Sequence, residues 1–484
     1  MKGTAIFGGV QVINIAVGII RGKLVAIILG TAGMGYTSII TSATTFIQQV
    51  AQLGLNVSAV RDISLSASEG NVERVSKVVK AVRRTIFLTA LIGLLFTVLA
   101  SEKLSEWSFG STEYAWSFVF VSIYIFFSIL SSGENALLQG FRKLKSLALM
   151  NVAGGLCGLF IGVPLYYLWG IKGVVPAMII ASIVLFLFAR SGTRKISLIP
   201  IEQNYKESVQ ICRTLIIIGV MMTIGACLGS LANYSILGFI RYYGSITDVG
   251  LYNAANSITL QYCGLVFTAM ATDYFPRLSG TIQDRESTIQ LVNQQTELVV
   301  LLLAPIATII IVSAPTLIRF LLTEEFLPVV DLVRCLGCGV LFKGFCFPMG
   351  YLSVAKGDKM YFFLTEGIWT NLKTPLILIS CYSFFGLKGL GYGALLNSLV
   401  DMIVVQILTR WRYRIALNKS FYKMTFPLCI GTILCFLSSF IDNTCVSYTI
   451  MWISLIFVSA FSLYELNKRI SVRETIVQRF KNKR

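Results

Sequence analysis

Two cations stand inside apolar sequence near the start of the chain: Arg21 and Lys23, in the run from Phe7 to Leu29. A guanidinium or ammonium in hydrocarbon costs several kcal/mol, so such residues face a water-filled or ligand-filled interior. There they hold anions through charge-assisted hydrogen bonds, Arg by its planar fork and Lys as a point charge. Further along, apolar sequence encloses Asp273, Lys343, Glu366, Lys373 and Asp401. Asp401 is the most informative acid, because apolar residues on both sides leave it needing a cation, a proton or water. Glu366 and Asp401 are thus candidates either to bind a coupling ion or to balance a buried base. Arg61 and Arg277 each close a long apolar run, where they either gather an anion at the mouth of a cavity or only terminate a span. Arg241, near the opposite boundary, is a candidate for releasing that anion. The chain has no histidine, which excludes histidine acid–base chemistry. Cys335 and Cys338 have the spacing of half a metal site, but no second close pair matches them, and helix packing is the expected role. No cofactor is expected, apart from coupling to a proton or sodium gradient.

The elements that must position these residues are membrane helices. Of 484 residues, 55% are apolar and 13% charged, and apolar runs recur from end to end. The runs at 4–29 and 36–60 flank the turn Gly30, Gly33, Gly35, and each has the roughly 20 or more residues needed to cross about 30 Å of hydrocarbon. The same reading gives further spans at 84–100, 114–138, 147–168, 172–189, 213–236, 250–273, 295–314, 330–352, 360–381, 389–409, 424–441 and 445–465. The expected fold is therefore an all-α polytopic membrane protein of about 14 transmembrane helices, with two six-helix bundles and a C-terminal helix pair. The expected divisions are 1–190 and 213–411 for the bundles, 191–212 for a cytoplasmic linker, 412–466 for a peripheral pair and 467–484 for a basic tail. Tyr36 to Arg61 placed against Tyr252 to Arg277 gives a faint internal echo that suits a repeat architecture with its route at the seam. Between the second and third spans, Ser64 to Arg84 reads as a short cytoplasmic surface helix. Gly154, Gly158 and Gly162, four residues apart, read as a face for close helix packing.

The net charge of +18 suggests nucleic acid until its distribution is considered. Most of the 41 Lys and Arg fall in alternate loops, whereas Glu102, Glu106, Glu113, Glu324, Glu325 and Asp331 lie opposite. That asymmetry is the positive-inside rule and places both termini in the cytoplasm. The basic loops can meet anionic membrane lipids. Nucleic-acid binding has no other support. The first apolar run lacks a small-residue cleavage signature and is read as a retained span.

Arg21-Gly22-Lys23-Leu24, followed by Leu29-Gly30 and Gly33-Met34-Gly35-Tyr36, resembles the opening of bacterial polysaccharide flippases of the Wzx, or polysaccharide transporter, family. Leu138-Gln139-Gly140-Phe141-Arg142 is also similar to that family. The resemblance covers span count, two-bundle plan and inside termini, and places the chain near multidrug extruders and MurJ-type lipid II flippases within the MATE/MOP superfamily. It implies a non-enzymatic flippase of the bacterial inner membrane. The implied cargo is an undecaprenyl-pyrophosphate-linked glycan repeat unit, moved from the inner to the outer leaflet by alternating access for O-antigen or another surface polysaccharide. Arg21 is the best match to the cavity cations of such flippases. The resemblance also implies a polymerase and glycosyltransferases as partners, and two bundles within one chain let a monomer suffice. Lipid II transfer and multidrug export remain the alternatives, although organic cations favour acidic cavities over the cations of the first span.

Overall fold

In a computed structural model, the chain is described over residues 2–68, 72–194, 196, 199 and 205–470. It is all-α there: α1 (Lys2–Gln52), α2 (Leu55–Ser68), α3 (Val72–Leu99), α4 (Ser101–Phe109), α5 (Ala115–Gly140), α6 (Leu144–Phe160), α7 (Gly162–Trp169), α8 (Val174–Arg194) and α9 (Tyr205–Tyr243). Then follow α10 (Ile246–Thr281), α11 (Arg285–Leu321), α12 (Val330–Ala355), α13 (Lys359–Phe362), a π-helical turn at Phe363–Trp369, α14 (Thr370–Tyr413), α15 (Lys419–Ser438) and α16 (Thr444–Ile470). Among the described residues, nine helical stretches are long and apolar enough to cross a membrane. The apolar exteriors suit that setting, as Phe87, Ile92 and Leu99 on α3 show by facing outward at 50%, 61% and 85% exposure.

Glycine sets the sharpest changes of direction. Gly30 within α1 has φ 64° and Gly386 within α14 has φ 58°, conformations that a Cβ makes costly. Each helical run therefore divides in two where the sequence supplies a residue without a side chain. The polar stretch 64–84, by contrast, does not form a separate surface helix. Its first residues finish α2, and 72–84 is the opening half of the 28-residue α3. The reason is its apolar spacing: Val75, Val78, Val79 and Val82 recur at helical intervals and are buried, while the charged residues occupy the remaining face.

The chain forms two compact units, Met1–Gly250 with Leu321–Thr323 and Leu251–Phe320 with Glu324–Arg484. In the first unit, α9 packs with the opening helices: Ser230 Oγ donates to Gln49 Oε1 at 2.6 Å, and Asn233 Nδ2 donates to Ser42 Oγ at 2.9 Å. An aromatic group made by Tyr36, Phe109 and Tyr114 joins α1 to the segment around α4, with Phe109 and Tyr114 centroids 4.5 Å apart. In the second unit, Tyr274 and Leu278 of α10, Val300 and Leu301 of α11, Phe345 of α12 and Phe421 of α15 share one core. Cys335 and Cys338 are buried beside Ile311, Phe342 and Phe436, an apolar setting that suits packing. Among the described residues, no group of three or more His, Cys, Asp or Glu could hold a metal.

A polar clasp fixes one end of the second unit. Asp358 caps α13 by accepting from Tyr361 N, and its Oδ2 also accepts from Arg412 Nε at 3.0 Å and Tyr413 Oη at 3.3 Å. The hydrogen bond from Arg412 leads the causes that hold the Asp358 carboxyl below its ordinary pKa. A depressed carboxylate contributes stability that is fully present above its unfolded pKa and is lost as pH falls through the folded one. Asp358→Asn is thus expected to melt below the intact protein at neutral pH, with the gap closing on acidification below about pH 4. Melting in detergent across a pH series checks this, and a gap that persists in acid contradicts it.

Candidate functional site

Among the described residues, each unit contains a cavity of substantial size. The cavity of the first unit has a volume of about 870 Å³ and is bounded by parts of α1, α2, α5, α6, α7 and α8. Its charged lining residues, Arg21 and Arg61, are both cations. The rest of its polar lining is neutral, chiefly hydroxyls and amides. Such a space, with cations on its wall and no lining carboxylate among the described residues, attracts an anion with many hydrogen-bonding groups.

Arg21 is positioned by what α6 lacks. A Cβ on Gly158 would lie 2.9 Å from Arg21 Nη1 and 3.2 Å from Cζ, and one on Gly155 would lie 3.3 Å from Val17 Cγ1. The missing side chains let α6 approach α1 and leave a slot for the guanidinium. Gly154, Gly158 and Gly162, expected as a face for close helix packing, all line the cavity as well. Gly158 makes room for a functional group, while the nearest neighbour to a Cβ on Gly154 would be Leu185 at an ordinary 3.5 Å.

The other candidates are distributed unevenly. Lys23 is half-buried on α1 and lies outside this cavity's lining among the described residues. Arg61 is exposed on α2 and does line it. Arg241 packs against Gly110, the left-handed residue that ends α4. A cation there complements the negative end of a helix, which gives Arg241 a local structural partner. Arg277 donates to Asp273 at 3.0 Å one turn earlier, and both side chains are more than half exposed. That pair lies outside the lining of either cavity among the described residues.

The cavity of the second unit, about 740 Å³, brings together Glu366, Asp401 and Lys343. Glu366 sits on the π-helical turn. Lys373, only 6% exposed, donates to Asp401 Oδ1, while Asn397 Nδ2 donates to Oδ2 of the same carboxylate at 3.4 Å. Asp401 therefore has a resident ammonium as its counter-ion. The sequence supplied both residues but not their pairing, which spans 28 positions.

Sequence reasoning also missed a second charge cluster. Glu134 of α5, 6% exposed, accepts from Arg83 Nε and Nη2, both at 3.0 Å, from Arg190 Nη1 at 2.6 Å, and from Thr193 Oγ1. This carboxylate ties α3, α5 and α8 together and lies outside the cavity's lining among the described residues. Its partners are 51 to 59 residues distant, beyond any local pattern. Glu134→Gln keeps an acceptor but removes the counter-charge of two arginines. It is expected to lower stability by about 1.5–3 kcal/mol, the range for a hydrogen bond to a charged group. Denaturant unfolding of the purified protein would show this, and no change would mean that the clasp is solvent-compensated.

Comparison with known proteins bears on the same architecture. Residues 1–282 match the family described as "Polysaccharide biosynthesis protein". The "Lipid III flippase" of Escherichia coli (strain K12) is 23% identical over 362 residues, covering 73% of this chain and 85% of its own. A solved structure titled "Lipid II flippase MurJ, inward closed conformation" superposes with a TM-score of 0.73 at 17% identity, over 96% of this chain and 99% of that one. An inward-facing multidrug resistance MATE family transporter of the MOP superfamily gives 0.70 at 15% identity, over 85% and 96%. At those identities the two structures establish the fold alone.

Proposed function

Because the chain belongs to the polysaccharide biosynthesis protein family and has the fold of MOP-superfamily transporters, we propose that it is a flippase for a polyprenyl-diphosphate-linked glycan of surface polysaccharide synthesis. The observation that carries this reading is the first unit's cavity, whose charged lining among the described residues is cationic. A sugar diphosphate does not cross hydrocarbon unaided. Arg21 offers the diphosphate oxygens a charge-assisted fork within a neutral polar cavity, and Arg61 gathers the headgroup as it enters. The prenyl tail stays in lipid, and no bond is made or broken. The name of the Escherichia coli relative supports a lipid-linked cargo.

This reading takes fourteen spans with both termini in the cytoplasm of a bacterial inner-membrane protein. Three of the nine apolar stretches have 40, 50 and 55 residues and turn at Gly30, Gly170 and Gly386, enough for two crossings each. Ile246–Thr281 and Val330–Ala355 supply the remaining two. The two-bundle division drawn from the sequence, alternating access and function as a monomer belong to the same proposal. Glu366 is its candidate for sensing an ion gradient, with Asp401 assigned to pairing. Lys23, Arg241 and Arg277 have subsidiary roles in it, since none lines the cationic cavity.

A second reading, transfer of lipid II, is favoured by superposition on MurJ over nearly the whole chain. Both cargoes carry a diphosphate, so charge does not separate them. Reconstitution in proteoliposomes does, by measuring leaflet transfer of an oligosaccharide on a prenyl diphosphate, the same glycan on a monophosphate, and lipid II. The proposal expects diphosphate-dependent transfer with preference for the oligosaccharide. Preference for lipid II would install the second reading, and diphosphate-independent transfer would remove both.

A further inference from the structure

The cavity of the first unit has a second chemical feature besides its cations. Tyr124, Ser128, Ser131, Ser132, Asn135 and Gln139 of α5 all line it. At 3.6 residues per turn these positions fall on one face, and they extend over about 22 Å of helix axis. The lining also includes Gly154, Gly158 and Gly162, with the Arg21 guanidinium over Gly158. A ladder of hydroxyls and amides in a cavity that also holds a guanidinium fits a hydroxyl-rich anionic molecule. It does not suit a prenyl chain, which would leave every one of these groups without a hydrogen-bond partner.

Asn135 supplies the independent observation. Its Oδ1 is buried and has no hydrogen-bond partner among the described residues. A buried amide oxygen without a partner costs about 1–3 kcal/mol, and is retained where another molecule completes it. Rotation of the amide turns that acceptor into the cavity the residue lines, where a sugar hydroxyl or the N–H of an acetamido group satisfies it. Glu134, the neighbouring residue, is committed to Arg83 and Arg190, and these bonds fix the rotation of α5 against α3 and α8.

We infer that this face of α5 is the glycan-reading surface of the transporter, with Asn135 accepting from the sugars attached to the diphosphate that Arg21 holds. The inference rests on the flippase reading and adds a specificity determinant to it. Cations hold every diphosphate cargo alike, whereas the ladder distinguishes cargoes by their sugars.

The test is binding of two water-soluble probes to the full-length protein in nanodiscs: a short-chain prenyl diphosphate, and the same diphosphate bearing an oligosaccharide. The intact protein is expected to bind the glycosylated probe at least tenfold more tightly. Asn135→Leu, and separately the pair Ser128→Ala with Ser132→Ala, should abolish most of that gain while changing affinity for the bare diphosphate less than twofold. Asn135→Gln, which keeps the amide, should recover part of it. Retention of the full gain in the variants would overturn the inference and leave the flippase reading intact. Equal weakening of both probes would also overturn it, by assigning these residues to cavity shape. Failure of the intact protein to bind either probe would overturn the flippase reading itself, and this inference with it.

Discussion

Replacing Arg21 with alanine is expected to reduce leaflet transfer of a prenyl-diphosphate-linked oligosaccharide by about 10- to 150-fold, since a hydrogen bond to a charged group contributes about 1.5–3 kcal/mol. The protein should remain folded, because the guanidinium occupies an open cavity and truncation leaves no buried charge behind. Arg21→Lys should retain an intermediate rate, keeping the charge and losing the bidentate fork. Arg277→Ala is the internal comparison. Its exposed pairing with Asp273 one turn away is worth little, and transfer should change less than threefold. Rates in proteoliposomes containing equal amounts of folded protein measure all three. Equal sensitivity at Arg21 and Arg277 would mean that the cationic cavity has no special part in transfer.

The second large effect belongs to the other unit and concerns folding. Asp401→Ala should destabilise the protein by about 3–5 kcal/mol, because it leaves the buried Lys373 ammonium without its carboxylate. Replacing both residues with methionine should restore most of the loss, since an apolar pair of similar volume escapes the desolvation cost of both charges. The double variant also separates pairing from coupling. If Asp401 serves Lys373, the double variant regains expression and transfers cargo with the ion dependence of the intact protein. If Asp401 binds the coupling ion, expression returns but gradient dependence does not. Thermal melting and transfer under imposed proton and sodium gradients distinguish these outcomes.

Much of the architecture was legible because membrane crossing imposes a length and a composition on every span. Gly30 marked a turn for a local reason as well, since the backbone there takes a sign of φ that residues with a side chain rarely adopt. The stretch 64–84 was misread because its charges suggested a surface helix, although Val75, Val78, Val79 and Val82 already showed a buried face. Within the candidate site, Arg21 stood out because a cation inside an apolar run has few uses. Ser128, Ser132 and Asn135 did not, because small polar residues at helical spacing also satisfy ordinary packing between membrane helices. Their significance depends on a cavity, and a cavity is made by neighbouring helices. The same holds for Glu134 and Asp401: each acid was visible in the sequence, while its partner was fixed only by folding.

The central claim is that the anionic headgroup occupies the first unit's cavity, and site-specific photocrosslinking tests it most directly. A photoreactive residue at Val57, which lines that cavity, is compared with one at Val404, which lines the cavity of the second unit, in protein that still transfers cargo. Each is irradiated with a radiolabelled prenyl-diphosphate-linked oligosaccharide. Labelling at Val57 that unlabelled cargo displaces and Arg21→Ala diminishes, with only background at Val404, is the predicted result. Labelling at Val404 without labelling at Val57 would contradict the account and move cargo binding to the cavity of Glu366 and Lys343.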